Sequence, residues 1–373
     1  MRERTMDIAV LKETKQHEYR VGMTPACAAI YAERGHTIRV QAGAGLGTGF
    51  SDEAYRQAGA EILPDAVTTA RGAGMIVKVK EPLPQEYDLL EPGQILFTYL
   101  HLAANPALAR FLAERQVESI AYETIQLADG SLPCLQPMSE IAGRLSVQEG
   151  AKYLEKPFGG RGVLLGGIPG IHRGRVVIIG GGVVGTNAAK IATGMGAEVV
   201  ILDINPRRLA YLDDIFGPRI TTLVSDPHHI RESCREADVV IGAVLVTGAS
   251  APRLIRREDL TAMKPGAVIV DVAIDQGGCC ETARPTTHDE PVYIEEGVVH
   301  YCVANMPGVV ALSSTVALAS RTRNYGLTIA DHGLRGALAA DPALRLGANI
   351  LGGHCVHPAV AESCGMPCES IPG

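Results

Sequence analysis

The chain has 373 residues, enough for two domains whose cores need neither a disulfide nor a metal to fold. Hydrophobic residues make up 46% and charged residues 20%, which excludes a disordered chain. Lys and Arg number 34 against 41 Asp and Glu, and the resulting charge of -7 argues against the basic face that a nucleic-acid partner requires.

Forty-two glycines with no Trp and 4% aromatics fit an α/β protein built on tight turns and phosphate-approaching loops. No apolar run reaches the roughly 18–20 residues that span a bilayer, so no membrane partner is expected. The polar residues 1–6 lead directly into a strand and carry no visible signal peptide. A cytoplasmic, reducing compartment is therefore expected, with the nine cysteines mostly free thiols.

The first third alternates β-branched runs with helical stretches. Strands are predicted at 7–11, 37–40, 75–79, 94–98 and 118–122, and a helix at 25–34 that opens on Pro25 and stops at Gly35. Such alternation implies parallel βαβ units. Breakers from Gly130 through Pro133 to Pro137 separate this stretch from a second one. There, strands are predicted at 175–179, 198–202, 221–224, 238–241 and 267–271. These are continuous apolar runs, which suit a parallel sheet covered on both faces. From 314 to about 340 the chain reads as helix. A tail this small cannot hold its own core, so it is expected to pack back on the first domain, making the central domain an insertion.

The strongest local signal lies at 175–203. A strand runs into Gly180-Gly-Gly182-Val-Val-Gly185, a helix follows, and the next strand ends beside Asp203. In this G-x-G-x-x-G pattern the first glycine makes the tight turn, the second lets backbone approach a pyrophosphate, and the third lets helix and strand pack closely. The helix N-terminus supplies N–H groups and a partial positive charge to the phosphates. The carboxylate of Asp203 suits the ribose hydroxyls and repels a 2′-phosphate, so NAD is expected over NADP. Arg207 and Arg208 just beyond would argue the other way, but they read as an exposed helix start. The expected fold is thus α/β, with two Rossmann-like doubly wound parallel-sheet domains and an interdomain cleft. Residues 1–134 would form the substrate domain, 135–310 the NAD-binding domain, and 311–373 a helical part returning to the substrate domain.

A dinucleotide site does not name a reaction. In open parallel sheets ligands bind at the carboxyl ends of strands, which is where Lys80 and His101 fall. Periodicity alone leaves both open to a solvated lysine and a half-buried structural histidine, and Arg20 to a surface residue.

Longer motifs carry more. Lys12-Glu-Thr-Lys15, Glu18-Tyr-Arg20-Val21, Gly43-Ala-Gly-Leu-Gly47, Val79-Lys80-Glu-Pro82 and Phe97-Thr-Tyr-Leu-His101-Leu-Ala103 resemble the alanine dehydrogenase family. So do Ala121-Tyr-Glu-Thr124, Pro137-Met-Ser139-Glu-Ile-Ala-Gly-Arg144, Asp271-Val-Ala-Ile-Asp275-Gln-Gly-Gly278 and Ala304-Asn305-Met-Pro-Gly308. The match runs in order from about residue 6 to 310 and more loosely to 365. That family shares its fold with the soluble NAD-binding part of proton-translocating transhydrogenase.

The resemblance implies roles. Arg20 matches the arginine that binds the substrate carboxylate, and Lys80 the lysine that holds carboxylate and carbonyl oxygen. His101 matches the active-site histidine and Asp275 a second catalytic residue. Ser139 matches a pyrophosphate-contacting serine, and Asn305 and Met306 residues at the nicotinamide end. Val183, Val184, Arg208, Ser225 and Leu245 complete the expected cofactor contacts with Gly180, Gly182, Gly185 and Asp203. The implied reaction is reversible NAD-dependent oxidative deamination of L-alanine to pyruvate and ammonium, in a cytoplasmic homo-oligomer, a hexamer by family resemblance. Two other readings stay open: a dehydrogenase of another small L-amino or imino acid, and a non-catalytic transhydrogenase-like NAD-binding subunit.

The chain departs from the family pattern at Thr247, where proline is usual, and at Ala311-Leu312, where Pro-Arg is usual. His354, Cys355, His357, Cys364 and Cys368 are loosely spaced like zinc ligands but read as a terminus with incidental thiols, and no metal is expected. Cys279-Cys280 reads as a pair of free thiols.

Overall fold

A computed structural model describes residues 5–244 and 251–371 of the chain. They fold as two compact units, one running up to Met138 and resuming at Gly308, the other Ser139–Pro307. The second unit interrupts the first once in sequence.

In the first unit six short strands lie parallel: β1 (Asp7–Val10), β2 (Thr37–Gln41), β3 (Glu61–Leu63), β4 (Met75–Val77), β5 (Ile95–Thr98) and β6 (Glu118–Ala121). Their order across the sheet is β3-β2-β1-β4-β5-β6. Parallel neighbours require crossovers, and helices such as Pro25–Glu33 supply them. That helix starts where Thr24 accepts the Cys27 N–H and Pro25 takes the first helical position, whose missing N–H costs nothing there. The chain winds outward from β1 to β3, then returns to β4 and winds the other way. The carboxyl ends of β1 and β4 therefore part, leaving the crevice typical of a doubly wound sheet.

The second unit repeats the plan. Its strands are β7 (Arg175–Ile179), β8 (Glu198–Asp203), β9 (Thr221–Val224), β10 (Val239–Gly242), β11 (Val268–Asp271), β12 (Val292–Glu295) and β13 (Val298–Tyr301). The order is β9-β8-β7-β10-β11-β13, with β12 antiparallel at the edge. The equivalent switch lies between β7 and β10. Val177, Ile179, Val240 and Ile269 are fully buried in its core, as Ala9, Ile76 and Leu96 are in the first unit.

After Gly308 the chain forms the helix Ala311–Ala340, broken in its helical dihedrals at Gly333. The Val21 N–H donates to Thr315 Oγ1 and Tyr31 Oη to the Arg323 carbonyl, which tie this helix to the first unit. The tail is not wholly helical. β14 (Ala348–Leu351) pairs antiparallel with β6, and β15 (His354–Cys355) with β14, extending the first sheet. Three further strands lie outside the predicted set: β3, and β12 and β13, which form a hairpin around Glu296 and Gly297, both at positive φ. Among the described residues no helix is long and apolar enough to cross a membrane.

Candidate active site

The candidate catalytic and substrate-binding residues lie on the segments that follow the carboxyl ends of strands. In the first unit Arg20 lies on the loop after β1, Lys80 three residues past β4 and His101 three residues past β5. β1 and β4 border the switch, and β5 is the next strand beyond β4.

Arg20 is buried, at 2% exposure, and is braced by its near neighbour. Its Nε donates to Glu18 Oε1 at 2.7 Å and its Nη2 to Glu18 Oε2 at 2.6 Å, while Nη1 approaches Met138 Sδ at 3.0 Å. A carboxylate on the Nε/Nη2 edge fixes the plane of the guanidinium. Lys80 is partly buried. Burial first, and then the positive charge of Arg20, hold its ammonium below the usual lysine range. Two cations thus share one small region, as a carboxylate site demands.

A second, buried lysine steadies this strand end. Lys78 donates to Glu86 Oε1 at 2.8 Å and lies 3.5 Å from Glu13 Oε2, and Glu13 Oε1 accepts the Val79 N–H at 2.6 Å. Burial opposes the Lys78 charge, but the two carboxylates outweigh it and hold its pKa above the usual value. Glu13 follows β1 and Lys78 follows β4, so the ion pair locks together the two strand exits that carry Arg20 and Lys80.

His101 takes a left-handed backbone, φ 50° and ψ 37°, which few non-glycine residues adopt. Its amide donates to Glu123 Oε1 at 2.6 Å, and its ring stacks in parallel on Tyr99 with centroids 5.9 Å apart. Tyr99 is buried and donates its hydroxyl to the Cys134 carbonyl at 2.6 Å, which gives the imidazole a fixed floor.

In the second unit, β7 leads into the glycine turn. Gly180 has φ 103°, and a Cβ there would lie 2.6 Å from the Ala243 carbonyl oxygen. A Cβ on Gly185 would lie 1.9 Å from the Gly180 oxygen, the close helix–strand approach that admits only glycine. A Cβ on Gly182 would meet nothing within 4 Å among the described residues. Among the described residues the space in front of Gly182 is therefore open, and none of their side chains caps the helix Val183–Gly194 that starts there. Val183 is exposed and Val184 partly so, at the head of this helix. An open glycine before an uncapped helix N-terminus fits a dinucleotide pyrophosphate.

Asp203 ends β8. Its Oδ2 accepts the Gly181 N–H at 2.7 Å and its Oδ1 the Asn205 N–H at 2.8 Å, so the carboxylate is held beside the glycine turn. Arg208 turns inward: Nε donates to the Gly181 carbonyl and Nη2 to Thr186 Oγ1 at 2.5 Å, bracing the turn from behind. Ser225 follows β9, and its N–H donates to the Asp203 carbonyl. Ser139 lies in the first turn of the helix Gln136–Tyr153. Leu245 and Thr247 lie outside the described residues.

Asp275 is exposed on the short 3-10 turn Val272–Gln276 after β11. Buried Asp271 builds that turn, with Oδ1 accepting the Ala273 N–H at 3.1 Å and Oδ2 the Cys279 N–H at 2.8 Å. Asn305, at φ 59°, and buried Met306 follow β13. Arg20, Lys80 and His101 thus all follow strands of the first unit, with Lys80 close enough to Arg20 to feel its charge, and Asp275 and the described cofactor candidates belong to the second.

The family models for the alanine dehydrogenase/PNT N-terminal and C-terminal domains match residues 9–142 and 146–358. The chain belongs to the alanine dehydrogenase/PNT family. It is 55% identical to an alanine dehydrogenase of Methanococcus maripaludis, over 97% of each chain. It is similar to a solved L-alanine dehydrogenase, with 52% identity and a TM-score of 0.94, covering 96% of this chain and 99% of that one. A transhydrogenase of Sinorhizobium meliloti is similar at 25% identity and a TM-score of 0.81, over 95% and 99%. The two alanine dehydrogenase/PNT models meet within the helix Gln136–Tyr153, which also contains the boundary between the two compact units at Met138 and Ser139.

Sequence reasoning missed the carboxylates behind these candidates: Glu18, Glu13, Glu123 and Asp271. Only the Glu18–Arg20 spacing carries a local signal, an acid two residues from a base. In the tail, His354 pairs with Glu369 at 2.7 Å and Cys364 Sγ reaches the Leu102 carbonyl at 3.3 Å. Among the described residues no three His, Cys, Asp or Glu side chains are grouped to hold a metal.

Proposed function

We propose that this enzyme catalyses the reversible NAD-dependent oxidative deamination of L-alanine to pyruvate and ammonium. The observation that carries the reading is the pair of cations, Arg20 and Lys80, at the parted ends of β1 and β4 beside the His101 strand end. A small 2-oxo or 2-amino acid needs such a pair: one fork for its carboxylate and a second positive group for carboxylate and carbonyl oxygen.

Arg20 binds the carboxylate through its guanidinium, held in plane by Glu18. His101 takes one proton from the substrate ammonium, because only the neutral amine has the lone pair that expels hydride. When bound, the nicotinamide ring accepts the α-hydrogen of the amino acid as hydride. The substrate is then an iminium, whose carbon is attacked by water. His101 and Asp275 share the removal of the water proton and the protonation of the departing nitrogen, and Lys80 steadies the oxygen that becomes the pyruvate carbonyl. The sum is alanine, oxidised cofactor and water giving pyruvate, ammonium, reduced cofactor and one proton.

NAD is assigned over NADP because the Asp203 carboxylate stands beside the glycine turn, where it would repel a 2′-phosphate. The role of Asp275 and the cofactor contacts of Ser139, Ser225, Asn305 and Met306 belong to the same proposal. So does a homohexamer, which light scattering on the purified protein tests.

The test is a comparison of initial rates of NADH oxidation with ammonium and a series of 2-oxo acids. The reading expects pyruvate to show the highest kcat/KM. Rapid turnover of a longer oxo acid with none of pyruvate would move the assignment to another amino acid. A non-catalytic subunit, the reading that the transhydrogenase likeness favours, predicts no turnover of any oxo acid with intact NADH binding.

A further inference from the structure

Strand β5 and strand β6 are adjacent and parallel, with Thr98 opposite Ala121. Two residues beyond each partner, Leu100 and Glu123 therefore emerge side by side. Glu123 lies on the turn Tyr122–Thr124, and its side chain is shielded, at 14% exposure against 44% for His101. Its carboxylate accepts the Leu100 N–H with both oxygens at 3.2 Å and the His101 N–H with Oε1 at 2.6 Å. The same Oε1 lies 3.9 Å from His101 Nδ1, an ion-pair separation rather than a hydrogen bond.

The backbone of His101 explains what this contact is for. A left-handed histidine costs free energy, and the conformation persists only where its surroundings hold it. Here two consecutive amides converge on a single shielded carboxylate, and the His101 carbonyl is engaged by the Ala104 N–H at 3.0 Å. The sharp turn carries the imidazole back over Tyr99. A negative charge on the Nδ1 side favours the tautomer with its proton on Nδ1, leaving Nε2 as the nitrogen that gains and loses a proton.

We propose that Glu123 is the positioning residue of His101: one carboxylate holds the strained backbone of the proton-transferring histidine and sets its tautomer. This rests on the role given to His101 in the proposed alanine–pyruvate reaction. It adds a carboxylate–histidine pair whose acid comes from the neighbouring strand end, 22 residues further along the chain.

The experiment uses the purified full chain and initial rates of NADH oxidation with pyruvate and ammonium. Glu123→Ala strands two amides and is expected to lose stability as well as activity, so the deciding variant is Glu123→Gln, which keeps an acceptor for those amides and removes the charge. Its kcat is expected to fall by roughly 100-fold or more, the lower end of what a positioned general acid–base contributes. The KM for pyruvate, the Kd for NADH and the melting temperature are expected to stay within about twofold or a few degrees of wild type. A kcat within about twofold of wild type overturns the proposal. So does a parallel decline of kcat, pyruvate affinity and melting temperature, which is the mark of a merely structural residue. If Glu123→Gln does not fold, Glu123→Asp, which withdraws the charge by one methylene, is read against the same criteria. Wild-type protein without pyruvate turnover overturns the functional reading and this one with it, and it shows before any variant is made.

Discussion

Glu18 and Arg20 form a bidentate ion pair inside the first unit, at 2.7 and 2.6 Å, with Glu18 6% and Arg20 2% exposed. The pair does two things: it fixes the plane of the guanidinium, and it satisfies a carboxylate that water cannot reach. Arg20→Met therefore removes the proposed partner of the substrate carboxylate and takes the bidentate cation from the buried Glu18, which keeps the residue-20 N–H. The expected loss of stability is about 3–5 kcal/mol, the usual cost of breaking a buried pair from one side. Urea unfolding measures it. The double variant Glu18→Leu/Arg20→Met is expected to regain most of that stability without regaining pyruvate turnover.

Lys80 gives a stability effect of the opposite sign. Burial and then Arg20 lower its pKa in the folded protein. Between that lowered value and the ordinary lysine value of about 10.4, the unfolded chain binds the extra proton. The folded state therefore gains stability as pH rises through this window and loses it as pH falls through the lowered value. Lys80→Met removes the cost. Its melting temperature at pH 7 is expected to exceed that of wild type, with the gain shrinking towards pH 10, while pyruvate turnover is lost. A lower melting temperature at pH 7 would count against the stated environment of Lys80.

The glycine turn separates cofactor binding from folding. A Cβ at Gly182 meets no described residue within 4 Å, whereas one at Gly185 meets the Gly180 oxygen at 1.9 Å. Gly182→Ala is expected to keep the melting temperature of the free protein and to weaken NADH by roughly tenfold, about 1.4 kcal/mol. Gly185→Ala is expected to push the helix Val183–Gly194 off β7 and to lower the melting temperature as well. Fluorescence titration of NADH beside thermal unfolding distinguishes the two.

His101 lies in the first unit and the glycine turn in the second. His101→Ala is expected to abolish turnover and to leave the Kd for NADH unchanged. Normal turnover in that variant would remove His101 from the reaction.

How far these features could be read from the sequence depended on whether their cause was local. The run Val176–Ile179, its glycines and Asp203 were legible because strand, turn and helix start are written in neighbouring residues, and the structure shows β7 and β8 at those places. β14 was not legible: it is four residues long, and what makes it a strand is β6, more than 200 residues earlier. The β12–β13 hairpin did carry a sign, Glu296-Gly297 between β-branched runs, that the reading passed over. At the site, Arg20, Lys80 and His101 were named by motif. Glu13 and Glu123 were not assigned, because each acts on amides of another strand end, a relation that exists only after the sheet has formed.

The central claim is that the α-hydrogen of alanine leaves as hydride to nicotinamide, and isotope transfer tests it most directly. L-Alanine deuterated at the α-carbon is incubated with NAD and the enzyme, and the NADH formed is weighed by mass spectrometry. The account predicts NADH carrying one deuterium, formed in step with pyruvate. Pyruvate released with the deuterium in water, or no pyruvate at all, would contradict it.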